Sequence, residues 1–332
     1  MATAEGFSKD SARTSRTREG RLMLPIPDSG IYKSINEHNI DFGFLCDWIE
    51  GSILFAEDEF STTDIVQALI DGGIYVESDF AMRIVMEIWQ ELERRLKCVA
   101  PRIPFSVSDL RVQRITSWQD APAHSFCVLL SFAKCYKKWW NRVSDSDYNE
   151  QGELFELLTQ ESLKEQFSDW QVKRTGSSYT QSVKLHEVMR QVADWLDRPI
   201  KPDAGERINS RTKDAGLDLL CYHRFPDKRA GFPIYLMQCA SGQNWNDKVF
   251  TPDLDLWGDY IDFVVRPQKA FAIPYALSEA DFREQCILVK GLLLDRYRLL
   301  AASRCRQHWE SPMLTNRIVK WATPKINQLL RN

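Results

Sequence analysis

Apolar residues recur at helical spacing in several stretches of the chain. In residues 79–97 an apolar side chain returns at every third or fourth position and basic residues end the stretch, which predicts an amphipathic helix. The Ser-Thr-Thr-Asp run at 61–64 has the composition of a helix start and predicts a shorter helix after it. The same spacing predicts helices over residues 150–170 and 183–196.

Shorter apolar runs in the second half of the chain predict strands. Residues 217–222 and 233–240 are apolar runs of strand length, joined by a connection rich in Pro, Asp, Lys, Arg and Gly. Residues 260–265 and 270–274 predict two further strands, and residues 278–303 predict one long helix. This order predicts an α/β or α+β fold, preceded by a mainly helical region.

Residues 125–140 leave two structures open, because their apolar periodicity is compatible with a helix or with a buried strand that leads into a helix. Lysines and aromatic residues alternate at the end of this stretch. Such basic and aromatic clusters can bind single-stranded nucleic acid by stacking, but a core helix with solvated lysines is the favoured interpretation.

Composition indicates a globular protein of the cytoplasm. Hydrophobic residues make up 44% and charged residues 27% of the 332 residues, and the net charge of −3 means that any binding of nucleic acid needs local basic patches. Eight cysteines are scattered without a CxxC pair, which is typical of reduced thiols in a cytoplasmic protein. No apolar run reaches the length of a membrane span, so we expect no membrane association.

The chain divides into three segments on these patterns. Residues 1–22 are rich in Ser, Thr and Arg and predict a disordered basic tail. Residues 23–175 predict a mainly helical accessory or targeting domain. The loop-like residues that follow Thr175 mark the boundary, and residues 176–332 hold the predicted strands.

Two polar residues interrupt the apolar strand candidates. Asp218 lies at the start of the first strand candidate, and Gln238 lies near the end of the second. A buried acid and a buried amide are both costly without partners, so the pair suggests a site.

The helix that carries Glu187, the KDAGLD run that ends at Asp218 and the strand that carries Gln238 together resemble the PD-(D/E)xK nuclease superfamily. They look most like its Mrr-type restriction endonuclease branch, in which Gln replaces the acid of the third motif. The resemblance covers about residues 180–275. It implies a restriction-endonuclease-like core, with a central mixed sheet flanked by helices, in the 176–332 domain.

The resemblance also implies a role for each residue. Asp218 is expected to be the principal ligand of Mg²⁺ or Mn²⁺, with the Gln238 side-chain oxygen and the Cys239 carbonyl as further ligands. Glu187 would contribute a contact through water. Oxygen ligands of this kind suit Mg²⁺, which stabilises the charge that develops when a phosphodiester is cleaved.

The sequence departs from the family pattern at one place. The family has a catalytic lysine two residues after the third-motif acid, and Ala240 stands there in this chain. Lysines of this superfamily can come from a neighbouring element. Lys248 is therefore expected to supply the charge.

Each residue also has a structural interpretation. Asp218 can cap the turn before its strand, and neighbouring backbone can satisfy a buried Gln238. Glu187 can be a solvated helix residue, and Glu153 and Glu156 on the preceding helix compete for its role.

The resemblance implies an Mg²⁺-dependent deoxyribonuclease of restriction or antiviral defence, acting as a homodimer or with a partner protein of a defence system. The alternative is a catalytically inactive nuclease-fold module that binds nucleic acid or scaffolds a defence complex. RNA as the substrate also stays open. Near-neutral net charge predicts a localised DNA surface, which we place around five basic residues: Arg224, Lys228, Arg229, Lys248 and Lys269.

Overall fold

The computed structural model describes residues 23–27, 42–108, 110–143, 148–175, 185–202 and 216–331. The predicted basic tail and the beginning of the KDAGLD run lie outside the described residues. The helices are α1 (Phe42–Phe55), α2 (Thr62–Asp71), α3 (Ser78–Val99), α4 (Pro122–Cys135), α5 (Lys137–Val143), α6 (Tyr148–Gln166), α7 (Leu185–Leu196), α8 (Leu254–Tyr260), α9 (Glu279–Val289), α10 (Arg296–Leu300) and α11 (Pro312–Leu329).

The strands are β1 (Glu59–Ser61), β2 (Phe105–Val107), β3 (Arg111–Arg114), β4 (Gln171–Arg174), β5 (Leu219–Tyr222), β6 (Ile234–Cys239), β7 (Gln268–Ala272) and β8 (Leu292–Leu294). Strands β4 to β8 form one sheet in chain order. Neighbours from β4 to β6 are antiparallel, and neighbours from β6 to β8 are parallel. Strands β1, β3 and β2 form a small antiparallel sheet. The predicted mixed α/β architecture is confirmed.

The large sheet has two apolar faces, because successive side chains of a strand point to opposite sides. On one face Leu219 and Met237 join the core of the preceding helices. On the other face Leu220 and Leu236 pack in a second core with residues of α7 and α8.

The helical region and the sheet share one core. Strand β4 ends at Arg174, just before the predicted boundary at residue 175, yet it forms the edge of the large sheet. The larger core contains residues of α1, α3, α4 and α6 together with residues of β5, β6, β7 and α11. The two predicted segments are therefore physically continuous.

Most predicted helices are present where the apolar spacing indicates them. Helix α3 covers the predicted residues 79–97, and α6 and α7 correspond to the other two. The Ser61 side chain accepts from the Asp64 backbone N–H while the Asp64 carboxylate accepts from the Ser61 N–H, so α2 begins with a capping box. Strands β5, β6 and β7 match three of the predicted strands.

Two predicted elements are wrong. Residues 260–265 are not a strand: helix α8 runs to Tyr260, and Ile261 makes only an isolated bridge with Ile200. Residues 278–303 are not one helix, because Lys290 adopts the left-handed conformation after α9 and residues 292–294 form β8. Pairing with β7 outweighs local helix propensity there.

Residues 125–140 are helical, in α4 and α5. The aromatic residues Tyr136, Trp139 and Trp140 are buried in the core, so they are closed to stacking with nucleic acid. Lys134 lies over the Tyr275 ring, with its Nζ 4.7 Å from the ring centroid. The core-helix interpretation is therefore confirmed. In the part of the chain that the structure describes, no helix has the length and apolarity needed to cross a membrane.

Four buried charges join α1 to α3 and α10. Asp47 and Glu50 lie on α1, and their carboxylates face the guanidinium groups of Arg95 and Arg296. Arg296 Nη1 is 2.8 Å from Asp47 Oδ1, and Arg95 Nη1 is 3.0 Å from the same oxygen. Arg95 also pairs with Glu91, 2.8 Å away, so each charge of the cluster has an opposite partner, which makes burial of the whole cluster tolerable.

Glu50 is the most enclosed acid of the cluster, with no solvent exposure. The Tyr297 hydroxyl donates to it at 2.9 Å, and His124 hydrogen bonds to its Oε1. Burial raises the pKa of Glu50, but the hydrogen bond and charge of His124 and the charges of Arg296 and Arg95 outweigh it and lower the pKa to about 2.

Glu50→Gln is expected to lower the free energy of unfolding by about 3 to 5 kcal/mol, because it leaves a buried positive charge uncompensated. Urea denaturation at pH 7 measures the effect. Glu284→Gln, at an exposed position of α9, is the control and should change stability by less than about 0.5 kcal/mol. Equal effects of the two substitutions would contradict a stabilising role for the cluster.

The destabilisation by Glu50→Gln should also depend on pH. The pKa of Glu50 is lowered in the folded protein, from an ordinary value of 4.5 to about 2, so its stabilisation is complete above pH 4.5 and is lost as the pH falls towards 2. The difference in unfolding free energy between wild type and Glu50→Gln should therefore narrow across that range. A difference that stays constant from pH 7 to pH 3 would contradict the lowered pKa.

Candidate functional site

Asp218 and Gln238 face each other across two antiparallel strands. Leu219 of β5 pairs with Met237 of β6, so the preceding Asp218 lies opposite the following Gln238, and their side chains point to the same face. Gln238 Nε2 donates a hydrogen bond to Asp218 Oδ2. The structure thus brings together the two polar residues that the sequence singles out.

The backbone holds Asp218 firmly. The Cys239 N–H donates to Asp218 Oδ2 at 2.6 Å, and the Asp218 N–H donates to the Met237 carbonyl at 2.9 Å. Thr175, which is buried, donates its hydroxyl to the Leu217 carbonyl at 2.6 Å. The carboxylate therefore has a defined position at the end of the sheet.

Two oxygen atoms converge at Gln238. Gln238 Nε2, which donates to Asp218 Oδ2, also lies 3.3 Å from the Cys239 carbonyl oxygen. Burial raises the pKa of the Cys239 thiol, and the negative charges of Asp218 and Glu156 raise it further. The thiol therefore stays protonated. The role expected for the Cys239 carbonyl as a metal ligand stays a prediction.

The other end of the Gln238 amide contacts Thr251. Thr251 Oγ1 lies 3.2 Å from Gln238 Oε1 and 2.7 Å from the Lys248 carbonyl oxygen. Gly216 packs beside this pair with a φ of +69°. A β-carbon at Gly216 would lie 2.6 Å from Thr251 Cβ and 3.0 Å from Gln238 Oε1, so the close approach requires glycine.

Lys248 lies at the end of a short 3₁₀ helix, Trp245–Lys248, and its side chain is exposed. Its carbonyl contacts Thr251, which in turn contacts Gln238. Its ammonium makes no hydrogen bond or ion pair with any residue that the structure describes. The catalytic role expected for Lys248 stays a prediction.

Lys269 is a second cation near the site, which the sequence suggested only as a DNA contact. It pairs with Leu236 in the register of β6 and β7 and projects on the same face as Gln238. Its Nζ donates to the Val249 carbonyl at 2.9 Å. Burial lowers the pKa of Lys269, the charge of Lys290 adds to this effect, and Asp253 opposes it.

Glu187 lies apart from these contacts. Helix α7 places its residues Val188 and Met189 in the core that contains Leu220 and Leu236. Glu187, on the same helix, is exposed. No hydrogen bond joins it to Asp218 or Gln238 among the described residues. Its role also stays a prediction.

The two acids that are alternatives to Glu187, on helix α6, lie on the other face of the sheet. Glu153 lies 3.0 Å from Arg317, and Glu156 lies 3.1 Å from Arg174. Both are on α6, which packs with β4 in the larger core. Their ion pairs give them a structural role.

The five basic residues of the predicted DNA surface fall into two groups. Lys248 and Lys269 lie near Gln238, whereas the other three follow β5 at its far end. At about 3.3 Å per residue, the extended chain from Asp218 to Arg224 spans about 20 Å. Arg224 donates to the Trp195 carbonyl and stacks over Phe232, so it has a structural role as well.

A cavity of about 670 Å³ lies between α1, α3 and α4 and the segments that follow β6 and β7. Trp245 and Tyr275 line it with stacked rings, whose planes are inclined by 29° and whose centroids are 6.2 Å apart. No sequence pattern indicates this cavity, because its walls come from distant parts of the chain. Only the folded arrangement brings them together.

Gly216→Ala should lower the free energy of unfolding by more than the 1 to 2 kcal/mol that a left-handed alanine costs, because the new methyl group would also strike Thr251. Gly231→Ala is the matched control, since Gly231 also has a positive φ, of 88°, but the nearest atom to a new β-carbon there, Val265 Cγ2, would be 4.0 Å away. Urea denaturation measures both. A smaller loss at Gly216 than at Gly231 would contradict the close packing.

Comparisons with known proteins leave the family of the chain open. No protein-family model matches it, and no curated protein and no solved structure gives a significant match. The nuclease resemblance rests on the residues of the chain themselves.

Proposed function

We propose that this protein is a metal-dependent endonuclease that hydrolyses DNA phosphodiester bonds. The observation that carries the proposal is the convergence of Asp218 Oδ2 and the Cys239 carbonyl oxygen on Gln238 Nε2. Two oxygen ligands and an adjacent amide oxygen form a set of the kind that binds Mg²⁺ or Mn²⁺.

The donor chemistry fits Mg²⁺. Protein sites for Mg²⁺ often use one or two carboxylates and leave further positions to water and to substrate phosphates. The described residues contain no group of three His, Cys, Asp or Glu side chains able to hold a metal ion. A set of one carboxylate, one carbonyl and one amide oxygen is therefore proposed, which water and DNA phosphate would complete.

The cation would supply positive charge to the phosphate oxygens as negative charge develops there. Asp218 would hold it with a full negative charge, in a position that the Cys239 N–H fixes at 2.6 Å. The Cys239 carbonyl oxygen and the Gln238 amide oxygen would be further ligands and would fix the position of the cation.

A protein cation is also needed beside the scissile phosphate. Lys248 is one candidate, because its exposed side chain leaves a helix whose last carbonyl contacts Thr251. Lys269 is the other, because its side chain projects on the same face of the sheet as Gln238 and its Nζ contacts the Val249 carbonyl in the loop between Lys248 and Thr251.

The order of elements supports the resemblance. Helix α7 precedes the antiparallel pair β5 and β6, and helices flank a mixed sheet. We therefore propose a restriction-endonuclease-like core for this sheet. Cytoplasmic action in restriction or antiviral defence, as a homodimer or with a partner protein, is proposed on the resemblance alone.

A second function is a catalytically inactive module that binds nucleic acid or scaffolds a defence complex. The observation that favours it is the hydrogen bonding of Asp218 Oδ2, which already has two donors. Ala240 at the family's lysine position points the same way.

Incubation of supercoiled plasmid with Mg²⁺ or Mn²⁺ should produce nicked and linear DNA, and EDTA should stop the reaction. Asp218→Asn should lower the rate by at least about 100-fold, because it removes the charged ligand. Asp227→Asn, on the exposed connection between β5 and β6, is the control and should cleave like wild type. Equal rates for wild type and Asp218→Asn would reject the nuclease assignment.

The same cleavage assay identifies which of the two lysines provides the positive charge beside the phosphate. Lys248→Ala and Lys269→Met should be compared at equal protein concentration, and loss of activity in only one assigns the cation to that residue. Full activity in both would show that neither lysine serves the reaction. Binding of DNA by wild type without any metal-dependent cleavage would favour the inactive module.

A further inference from the structure

We infer that Thr251 is a positioning residue that allows the Gln238 amide to rotate, so that Gln238 presents N–H to Asp218 in the metal-free site and its oxygen to a divalent cation. This inference rests on the proposed function. It assigns a role to a residue outside the family motif, in the loop that follows the 3₁₀ helix.

The need for rotation follows from the atoms at the site. Asp218 Oδ2 and the Cys239 carbonyl both accept from Gln238 Nε2, so the amide N–H₂ group faces the two oxygens that a cation would contact. An amide N–H group repels a cation. Rotation by about 180° would replace it with Oε1, because the two ends of an amide have nearly the same size.

A rotated amide needs an acceptor at its other end, and Thr251 can provide one. The Thr251 hydroxyl contacts both Gln238 Oε1, at 3.2 Å, and the Lys248 carbonyl, at 2.7 Å. A hydroxyl can donate one hydrogen bond and accept two. After rotation it can donate to Lys248 and accept from Gln238 Nε2 at the same time.

Thr251 is held in place from three sides. Its backbone N–H donates to the Lys248 carbonyl at 2.9 Å. Lys269 Nζ anchors the same loop through the Val249 carbonyl. Gly216 packs against its side chain so closely that any β-carbon would overlap it. The hydroxyl therefore stays beside the amide while the amide turns.

Loss of the hydroxyl should harm the cation-bound state more than the metal-free state. Before rotation, the single proton of the Thr251 hydroxyl is shared between two acceptors. Gln238 Oε1, at 3.2 Å, is farther from the hydroxyl than the Lys248 carbonyl oxygen, at 2.7 Å. In the rotated state the Gln238 N–H₂ group would lose the acceptor that Thr251 provides. A donor left without an acceptor is costly to the extent that it is shielded from water. The hydroxyl should therefore be required for metal affinity.

The test is Mn²⁺ binding by the full chain, measured by isothermal titration calorimetry and by the electron paramagnetic resonance signal of free Mn²⁺. Wild type should bind Mn²⁺, and Asp218→Asn should abolish the binding. Thr251→Val keeps the shape and should weaken binding by about 10- to 100-fold. Thr251→Ser keeps the hydroxyl and should bind within about threefold of wild type.

A second measurement follows the amide itself. The side-chain N–H₂ resonances of Gln238, assigned by their loss in Gln238→Met, should shift when Mg²⁺ is added to wild type and to Thr251→Ser. In Thr251→Val they should not shift at the same Mg²⁺ concentration. Urea denaturation of each variant checks that the fold is retained.

The outcomes separate the two hypotheses. Absence of Mn²⁺ binding by wild type, or equal binding by wild type and Asp218→Asn, overturns the proposed function and with it the inference. Binding that depends on Asp218 but is equal in wild type and Thr251→Val overturns the inference alone. Thr251→Ser binding as weakly as Thr251→Val has the same meaning, since the hydroxyl would then be irrelevant.

Discussion

The buried charge cluster is the constraint on which the arrangement of the molecule depends. Asp47 and Glu50 of α1 cannot be buried without partners, and their partners come from α3 and from the segment after β8. Arg296 also donates through Nε to the Pro274 carbonyl, just after β7, at 3.0 Å. The cluster therefore ties the carboxyl ends of β7 and β8 to the first helices. A displaced sheet would leave charges unpaired in the core, which is far more costly than a lost apolar contact.

The same end of the sheet carries the candidate site. The chain leaves β6 at Cys239, and the next turn is fixed from the helical side: Gln151 Nε2 and the Tyr275 hydroxyl both donate to the Ser241 carbonyl at 3.0 Å. Gln243 donates to the Ala133 carbonyl at 2.7 Å. The helices before residue 175 thus position the loop that carries Lys248 and Thr251. A role of the helical region in shaping the site follows from these contacts, beside the targeting role expected for it.

The sequence predicts those features that depend on local pattern. The period of α3 and the short apolar runs that become β5 and β6 are visible in it, and the pairing of Asp218 with Gln238 follows once the two strands are antiparallel neighbours. Long-range features are invisible. Asp47 and Arg296 are separated by 249 positions, and nothing in either neighbourhood indicates the other. Strand β8 was hidden for a similar reason, since three leucines inside a helical pattern become a strand only through pairing with β7.

Ala240 stands where the nuclease resemblance would place a lysine, and it is closely packed. Ala240 is buried in an apolar cluster with Trp245 and Val249, and its N–H donates to the Ala272 carbonyl at 2.9 Å. A lysine at this position would place its stem and charge beneath the 3₁₀ helix that covers the strand end, where desolvation opposes the charged form. Trp245, the first residue of that helix, is buried, whereas Lys248, the last, is exposed. The helix that packs over Ala240 therefore also carries Lys248, one of the two lysines proposed for the reaction.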